Sequence, residues 1–315
     1  MAMPSSATSP QKQELYERIV DAFELIFGTH PGYRAAHAKG IVCEGTFTPA
    51  AAAASLSRAL HFQRGSVPVT IRFSDATGVP TIPDADPNAS PRGLGIKFHL
   101  PGGTDSDIVA HSYNGFPVGT AEEFLGFVQA LAASGPSAQK PTPIEIFLGT
   151  RPRALAFATG QKPAPVSFMT ESYYGVNAFR FINRQGASQY ARYQIHPAGG
   201  EAHLNASEAA QRSQDFLFDE LRERLSKGSA ELSLVAQIAG PGDRTDDGSI
   251  TWPDDRRILE LGTLRVIKIA EDSELAQRKL IFDPTRLTDG IELSDDPLLP
   301  ARAAIYSISY KRRNP

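Results

Sequence analysis

An arginine, a tyrosine and a second arginine near the end of the chain lie at a spacing that could hold a metal ion. Residues 299–313 are predicted to form a helix, with Pro300 in its first turn, where proline is favoured. Arg302, Tyr306 and Arg313 are four and then seven residues apart, so they share one face of that helix. A guanidinium one turn from a phenol favours the phenolate, which is a ligand for ferric iron. A surface face of ion pairs would have the same spacing, so these residues alone leave both interpretations open.

A second group of residues that could do chemistry lies near the beginning of the chain. Residues 33–40 read Tyr-Arg-Ala-Ala-His-Ala-Lys-Gly and follow a helix that the apolar spacing predicts for residues 11–27. The imidazole of His37 could carry a proton between two oxygen atoms, which is the step that cleavage of a peroxide requires. A single histidine in a loop more often has a structural role, so the pattern alone does not decide the function.

Both segments resemble those of the haem catalases. Residues 282–306 are similar to the family's proximal segment in their FDP, GIE, S-x-DP and R-x-x-x-Y elements. Residues 34–40 are similar to its distal R-x-x-H-A-K-G motif. Residues 69–74, 92–98 and 175–179 resemble three of its strands.

The resemblance implies a b-type haem in which Tyr306 is the proximal iron ligand and Arg302 stabilises its phenolate. His37 would be the distal acid–base residue, and Ser74 would orient its ring. The resemblance also assigns three arginines beside the haem propionates and one distal phenylalanine, which are Arg34, Arg72, Arg313 and Phe127. Arginine suits carboxylate partners because its planar fork binds them bidentately. Without the resemblance, Arg72 would be interpreted as a strand residue that faces solvent.

The distal segment departs from the family pattern D-L-V-G-N-N. Residues 107–114 read DIVAHSYN, and a gapless alignment puts Ser112 at the distal asparagine, with His111 beside it and Asn114 two residues later. In the family that asparagine helps to hold peroxide, so Ser112, Asn114 or His111 would have to replace it. The departure favours a peroxidase, which reduces hydrogen peroxide or organic hydroperoxides with a small organic electron donor, over efficient dismutation.

Three other functions stay open at this point. They are a true small catalase, an isomerase or dehydratase of fatty-acid hydroperoxides on the same fold, and a carrier of haem or another apolar ligand. Oxygen evolution would identify the first, and product analysis without an electron donor would identify the second. A carrier has no need of a distal base, so His37 beside Arg34 argues against the third. The chain length resembles that of the small catalase-related peroxidases, and family analogy implies a homodimer.

The elements that must position these residues indicate an α+β fold. Strands rich in β-branched residues, separated by turn signals and seldom followed by a crossover helix, predict a catalase-like antiparallel β-barrel with surrounding helices. The predicted strands are residues 67–73, 93–100, 107–110, 178–182, 231–238, 264–269 and 277–282. The predicted helices besides the terminal ones are 121–133 and 207–226. Residues 1–10 are predicted to be flexible, and residues 11–315 to form one domain.

Composition and charge exclude several classes of protein. The 315 residues are 41% hydrophobic and carry a formal net charge of −3, so a nucleic-acid partner is not expected. Cys43 is the only cysteine, which rules out an intrachain disulfide and any site that needs several thiolates from this chain. The sequence has neither an apolar run of about 18 residues nor a signal-peptide pattern. We therefore expect a cytoplasmic protein that binds no membrane.

Overall fold

The computed structural model describes residues 9–63, 65–160 and 162–314 of the chain. Residues 1–8 lie outside these ranges, so most of the segment predicted to be flexible is not described. Of the last two residues of that segment, Ser9 caps the first helix and Pro10 begins it. Helix α1 (Pro10–Phe27) starts at Pro10, and the hydroxyl of Ser9 caps it by accepting a hydrogen bond from the N–H of Lys12.

Ten strands in the described part of the chain pair into one antiparallel sheet. They are β1 (Gly40–Pro49), β2 (Val67–Ser74), β3 (Gly93–His99), β4 (Asp105–His111), β5 (Tyr173–Tyr174), β6 (Phe179–Ile182), β7 (Ser188–Pro197), β8 (Ala230–Ile238), β9 (Ile258–Ile269) and β10 (Ile291–Leu293). Eight of them close a barrel, in the order β1, β2, β3, β4, β5, β7, β8, β9 and back to β1. β6 and β10 extend the sheet from β7. The predicted antiparallel barrel is therefore confirmed.

Helices surround the barrel. In the described ranges they are, after α1, α2 (Ala53–Leu56), α3 (Leu60–Gln63), α4 (Ala121–Ala132), α5 (Pro143–Gly149), α6 (Pro152–Thr159), α7 (Ala206–Ala210), α8 (Phe216–Lys227), α9 (Ser273–Lys279) and α10 (Leu298–Arg313). Helix α1 packs on both α4 and α10 through an apolar cluster that includes Ile19, Leu125 and Ile305. Within the ranges given above, no helix is both long and apolar enough to span a membrane.

The register of β2, β3 and β4 sorts their side chains onto two faces. Ile71 pairs with Ile96, and Ile96 pairs with Ile108, and all three belong to the buried core of the barrel. Because successive side chains of a strand point to opposite faces, the residues between them point outward. The outward residues are Arg72 and Ser74 on β2, Gly93 and Gly95 on β3, and Val109 and His111 on β4. The candidate site residues on these strands therefore lie on the outer wall of the barrel.

One predicted strand is wrong. Residues 277–282 are the last turn of α9 and a following segment without regular structure. The carboxylate of Asp272 accepts a hydrogen bond from the N–H of Leu275 and so starts a helix that a strand pattern does not reveal. The helix predicted at 207–226 is two helices, α7 and α8, separated by a turn. Four strands, β1, β5, β7 and β10, have no counterpart among the predicted strands.

Candidate active site

A cavity of about 250 Å³ lies against the outer wall of the barrel, where α1, α4 and α10 cover it. Its apolar wall includes Val20 and Phe23 of α1 and Phe124 of α4. The polar residues of its lining come from both ends of the chain and are Arg34, His37, Arg72, Ser74, His111, Arg302, Tyr306, Ser309 and Arg313. An apolar space with a few convergent polar groups is typical of a ligand site.

His37 is held in a strained conformation at this cavity. Its backbone φ is +56°, in the left-handed region that is costly for a residue with a side chain. Its N–H donates to the carbonyl of Ala76 at 3.0 Å, and its own carbonyl accepts from Nη2 of Arg72 at 2.8 Å. Nδ1 of the ring is hydrogen-bonded to Oγ of Ser74 at 3.1 Å. Burial, followed by the charge of Arg72, lowers the pKa of His37 from 6.5 to about 4, so the ring is neutral near pH 7.

Two glycines leave room for these side chains. A Cβ at Gly93 would lie 2.5 Å from Oγ of Ser74 and 2.7 Å from Nδ1 of His37. A Cβ at Gly40 would overlap the guanidinium of Arg72. Non-bonded atoms need roughly 3.5 Å or more. Any side chain at these positions would therefore displace the His37–Ser74 pair or the Arg72 guanidinium.

Buried ion pairs fix the residues that follow His37 and Ser74 along the chain. Nζ of Lys39, two residues after His37, pairs with Asp84. Arg92 pairs with Asp75 at a position closed to solvent. Removing one partner of a buried pair leaves an uncompensated charge, which is strongly destabilising. These pairs therefore hold the loop of His37 against the barrel wall.

Three arginines, Arg34, Arg72 and Arg313, converge on the cavity, and we call them the arginine cluster. Arg34 and Arg313 both donate through Nη2 to the carbonyl of Leu280, each at 2.7 Å. Arg72 donates through Nη2 to Oε1 of Gln277 at 3.1 Å, whereas its buried Nε has no partner. Within the described ranges, no carboxylate forms a salt bridge with any of the three guanidiniums.

The electrostatics of the arginine cluster favour an anionic ligand. Burial, followed by the charge of Arg313, lowers the pKa of Arg72 to about 9. Burial and the charges of the other two arginines also lower the pKa of Arg34. Buried positive charges without counter-charges are costly, and a bound carboxylate would offset that cost and could accept from Nε of Arg72. The cavity therefore fits an apolar ligand that carries carboxylates.

Tyr306 faces the same cavity from α10. Nε of Arg302, one helical turn earlier, donates to its phenolic oxygen at 3.0 Å. Nη1 of Arg302 donates to Oδ1 of Asn177, whose Nδ2 donates to Oδ2 of the buried Asp296 at 2.7 Å. The guanidinium is thus held at two points beside the phenol. A phenolic oxygen that accepts a hydrogen bond from a cation is suited to be an anionic ligand of a metal ion.

Two groups of the site are not singled out by the sequence analysis. Asn177 lies within residues 175–179, and the resemblance of those residues to a family strand is the signal that could have identified it. Leu280 acts through its backbone carbonyl, which a pattern of side chains does not reveal.

Three predicted site residues lie outside the cavity lining. Oγ of Ser112 accepts a hydrogen bond from the N–H of Arg92 at 2.9 Å, which ties the end of β4 to the start of β3. Asn114 does not contribute to the lining, and neither does Phe127. Phe127 packs instead on Phe147 of α5, with ring centroids 5.7 Å apart. The phenylalanine of α4 that borders the cavity is Phe124, one turn earlier.

His111 borders the cavity in place of Ser112. It lies opposite Gly93 in the β3–β4 ladder, and directly opposite residues of antiparallel strands share a face. Both of its ring nitrogens are buried and lack a hydrogen-bond partner among the described residues. Burial, followed by the charge of Arg302, lowers the pKa of His111 to about 3, so the ring is neutral.

Comparison with known sequences identifies the family of this chain. The profile of the family described as Catalase matches residues 31–314. The chain belongs to the catalase family. A catalase-related peroxidase from Mycolicibacterium paratuberculosis is similar to this catalase-family chain, with 38% identity over 94% of this chain and 94% of that protein. A catalase-related peroxidase from Synechococcus elongatus is 33% identical over 94% of this chain and 88% of that protein.

Solved structures of catalases share the fold of this catalase-family chain. A fungal catalase superposes with a TM-score of 0.79 at 21% identity, and catalase A from Saccharomyces cerevisiae with a TM-score of 0.78 at 19% identity. Both matches cover 90% of this chain, but they cover only 60% and 62% of those longer chains.

The catalase family implies a haem, and the residues of the cavity fit one. Haem is a flat apolar ring with two propionate carboxylates. The cavity offers an apolar wall and an arginine cluster that forms no salt bridge with a carboxylate of the described residues, and Nε of Arg72 has no hydrogen-bond partner among them. The phenolic oxygen of Tyr306, which accepts a hydrogen bond from Arg302, is a suitable donor for its iron.

Proposed function

We propose that this chain binds haem b through Tyr306 and reduces hydrogen peroxide or organic hydroperoxides as a peroxidase. One observation carries the proposal: a single cavity brings together His37, Tyr306 and the arginine cluster from distant parts of the chain. Reduction of a peroxide at a haem needs an iron ligand, a group that moves a proton, and charges that hold the propionates. The names of the two peroxidase relatives support the same function.

In this proposal the phenolic oxygen of Tyr306 would hold the haem iron, and the arginine cluster would pair with the propionates. Haem, when bound, supplies the redox equivalents for cleavage of the O–O bond. Arg302 holds the phenolic oxygen of Tyr306 in place because it donates a charge-assisted hydrogen bond to that oxygen. The apolar wall of Val20, Phe23 and Phe124 excludes water and strengthens these charge interactions.

His37 moves the proton of the substrate. Its neutral ring accepts the proton of one peroxide oxygen and returns it to the other oxygen, which leaves as water or as an alcohol. With Nδ1 protonated and donating to Oγ of Ser74, Nε2 carries the free lone pair. The hydrogen bond to Ser74 orients the ring, and the backbone hydrogen bonds of His37 hold the loop that carries it.

The distal wall favours a peroxidase over a true catalase. The hydroxyl of Ser112 is engaged by the N–H of Arg92, and Asn114 does not line the cavity. Neither residue therefore supplies the amide that the family uses to hold a second peroxide. A small organic electron donor would return the enzyme to its resting state. We expect donor oxidation to be much faster than oxygen evolution when both are measured with hydrogen peroxide.

Absorption spectra test the proposal directly. Purified wild type should show a Soret band with ferric-phenolate features, and Tyr306→Phe should alter or lose it. Tyr310→Phe is the matched control, because Tyr310 lies on the same helix but not in the cavity lining, and its spectrum should match wild type. A protein that cannot be reconstituted with haem would overturn the proposal, as would a wild-type spectrum in Tyr306→Phe.

The homodimer and the cytoplasmic location belong to the proposal as well. Family analogy is the support for the dimer, and sedimentation equilibrium of the purified protein tests it. Cell fractionation tests the location.

A further inference from the structure

His111 and His37 approach the same point of the barrel wall. Gly93 lies opposite His111 in the β3–β4 ladder, and a Cβ on Gly93 would lie 2.7 Å from Nδ1 of His37. Because directly opposite side chains of an antiparallel pair point to one face, the His111 ring projects toward the side that His37 occupies. Both rings line the cavity. The two imidazoles therefore lie at the same end of it.

The ring of His111 lacks the hydrogen bonds that a buried imidazole normally makes. Both nitrogens are buried and unpaired within the described part of the chain. The aromatic neighbours of the ring are Phe116 and Phe157, with centroids 6.2 Å and 6.4 Å away, and neither offers a hydrogen-bonding group. Buried polar groups without partners are rare and destabilising, so each needs an explanation such as a ligand or a water.

We propose that His111 is a second distal imidazole that hydrogen-bonds to the peroxide bound beside His37. The inference rests on the proposed function, because it assumes that a peroxide occupies this cavity. His37 moves the proton, whereas His111 binds the substrate without exchanging a proton with it. In this role His111 replaces the distal amide that neither Ser112 nor Asn114 supplies.

The chemistry of a neutral imidazole matches that of a hydroperoxide. Neutral histidine has one N–H donor and one acceptor nitrogen, and a hydroperoxide has an O–H donor and two acceptor oxygens. A half-turn about the Cβ–Cγ bond exchanges nitrogen and carbon positions of the ring in nearly the same volume. Since the ring already borders the cavity, this turn is enough to present a nitrogen where a carbon stood.

His61 provides a matched control. It is also buried with an unpaired Nδ1, and burial lowers its pKa to about 3 as it does for His111. However, His61 stacks on Phe98 in the barrel core, with centroids 4.6 Å apart, and does not line the cavity. Replacing it removes a buried imidazole without touching the substrate site.

Fluoride binding to the ferric, haem-loaded protein measures the distal hydrogen-bond donors without any turnover. Soret titrations at pH 7 would compare wild type, His111→Phe, His111→Gln and His61→Phe. We expect His111→Phe to weaken fluoride binding by about tenfold or more, the scale of one lost hydrogen bond to an anion. His111→Gln keeps a donor and should recover most of the affinity. The second-order rate with hydrogen peroxide should follow the same order, with His61→Phe equal to wild type.

Unchanged fluoride affinity in His111→Phe would overturn the proposal. An equal loss in His61→Phe would also overturn it, because the effect would then come from packing. If His111→Phe does not fold, His111→Leu carries the same expectation. Two results would contradict the proposed function and the inference together. One is a wild type that binds no haem, and the other is a His37→Ala variant that reacts with peroxide as fast as wild type. If His37→Ala slows the reaction with peroxide but His111→Phe binds fluoride as tightly as wild type, only the role of His111 is contradicted.

Discussion

The guanidinium of Arg302 joins Tyr306 to Asn177. Its Nε donates to the phenolic oxygen at 3.0 Å, and its Nη1 donates to Oδ1 of the amide. Asn177 is held in turn by Asp296 at 2.7 Å. Asn177 is uncharged, and among the described residues no carboxylate forms a salt bridge with Arg302. The carboxylate of Asp296 orients the arginine through the amide.

Replacing Asn177 should loosen the proximal side. Asn177→Ala removes the hydrogen-bond partners of Oδ2 of Asp296 and of Nη1 of Arg302, whereas Oδ1 of Asp296 still accepts from the N–H of Leu298. We expect the free energy of unfolding of the haem-free protein to fall by about 1–3 kcal/mol, the usual cost of buried groups left unsatisfied. Urea denaturation measures this change, and transfer of haem to apomyoglobin should be faster than from wild type. Asn114→Ala, outside the cavity lining, is the control, and an effect of similar size there would contradict the assignment.

The low pKa of His37 predicts how activity depends on pH. Burial and the charge of Arg72 lower this pKa from 6.5 to about 4. The ring of His37 therefore stays neutral, and able to accept a proton, at acid pH values at which a free imidazole is protonated. We expect kcat/KM for peroxide to decline as the pH falls, with an apparent pKa well below 6.5. His37→Ala should lower kcat/KM by about 10²–10⁴-fold throughout. Circular dichroism defines the pH range in which the protein is folded, and a midpoint near 6.5 within that range would contradict the role of His37.

The proximal residues are predictable from sequence because they are close along the chain. Arg302 and Tyr306 lie one helical turn apart, so the pattern alone brings them together, as the structure does. The distal residues depend on pairing between strands. Whether His111 or Ser112 faces the cavity is decided by the register of β3 and β4, and a shift of one residue exchanges the two faces. A gapless alignment of the sequence does not contain that register.

Burial of charged residues is also hard to predict from local sequence. The pattern alone interprets Arg72 as facing solvent, whereas the structure buries it. The cause is distant in the chain: Gln277 of α9, 205 residues later, folds over the guanidinium and accepts a hydrogen bond from it. The same segment is the one predicted as a strand. Both errors therefore concern α9, which starts at the Asp272 cap and brings Gln277 to the guanidinium of Arg72.

The low pKa of the buried His61 predicts how the stability of the fold depends on pH. Its pKa in the folded protein is about 3, below the 6.5 of the unfolded chain, because the ring is buried. The unfolded state therefore binds the proton more readily, and the stabilising contribution is complete above pH 6.5 and declines as the pH falls toward 3. His61→Phe removes this proton uptake and should make the decline less steep. Urea midpoints of the haem-free protein at neutral and mildly acid pH measure the difference, and an unchanged decline would refute it.

Gly40 tests whether Arg72 must keep its position. Pairing with Ser74 fixes the backbone of Gly40 in β1, so a Cβ there would push the Arg72 guanidinium away from the cavity wall. We expect Gly40→Ala to weaken haem binding by about tenfold, the scale of one lost charge-assisted hydrogen bond. The rate of haem transfer to apomyoglobin is the measurement.

The control for this change is Gly199→Ala, because a Cβ at Gly199 would meet no atom within 4 Å. Its haem transfer rate should equal that of wild type. Arg72→Gln, which removes the charge without adding a Cβ at Gly40, should weaken haem binding at least as much. If Gly40→Ala retains haem like the control while Arg72→Gln loses it, haem binding requires the charge of Arg72 but not the exact position of its guanidinium. If both retain haem, Arg72 does not pair with a propionate.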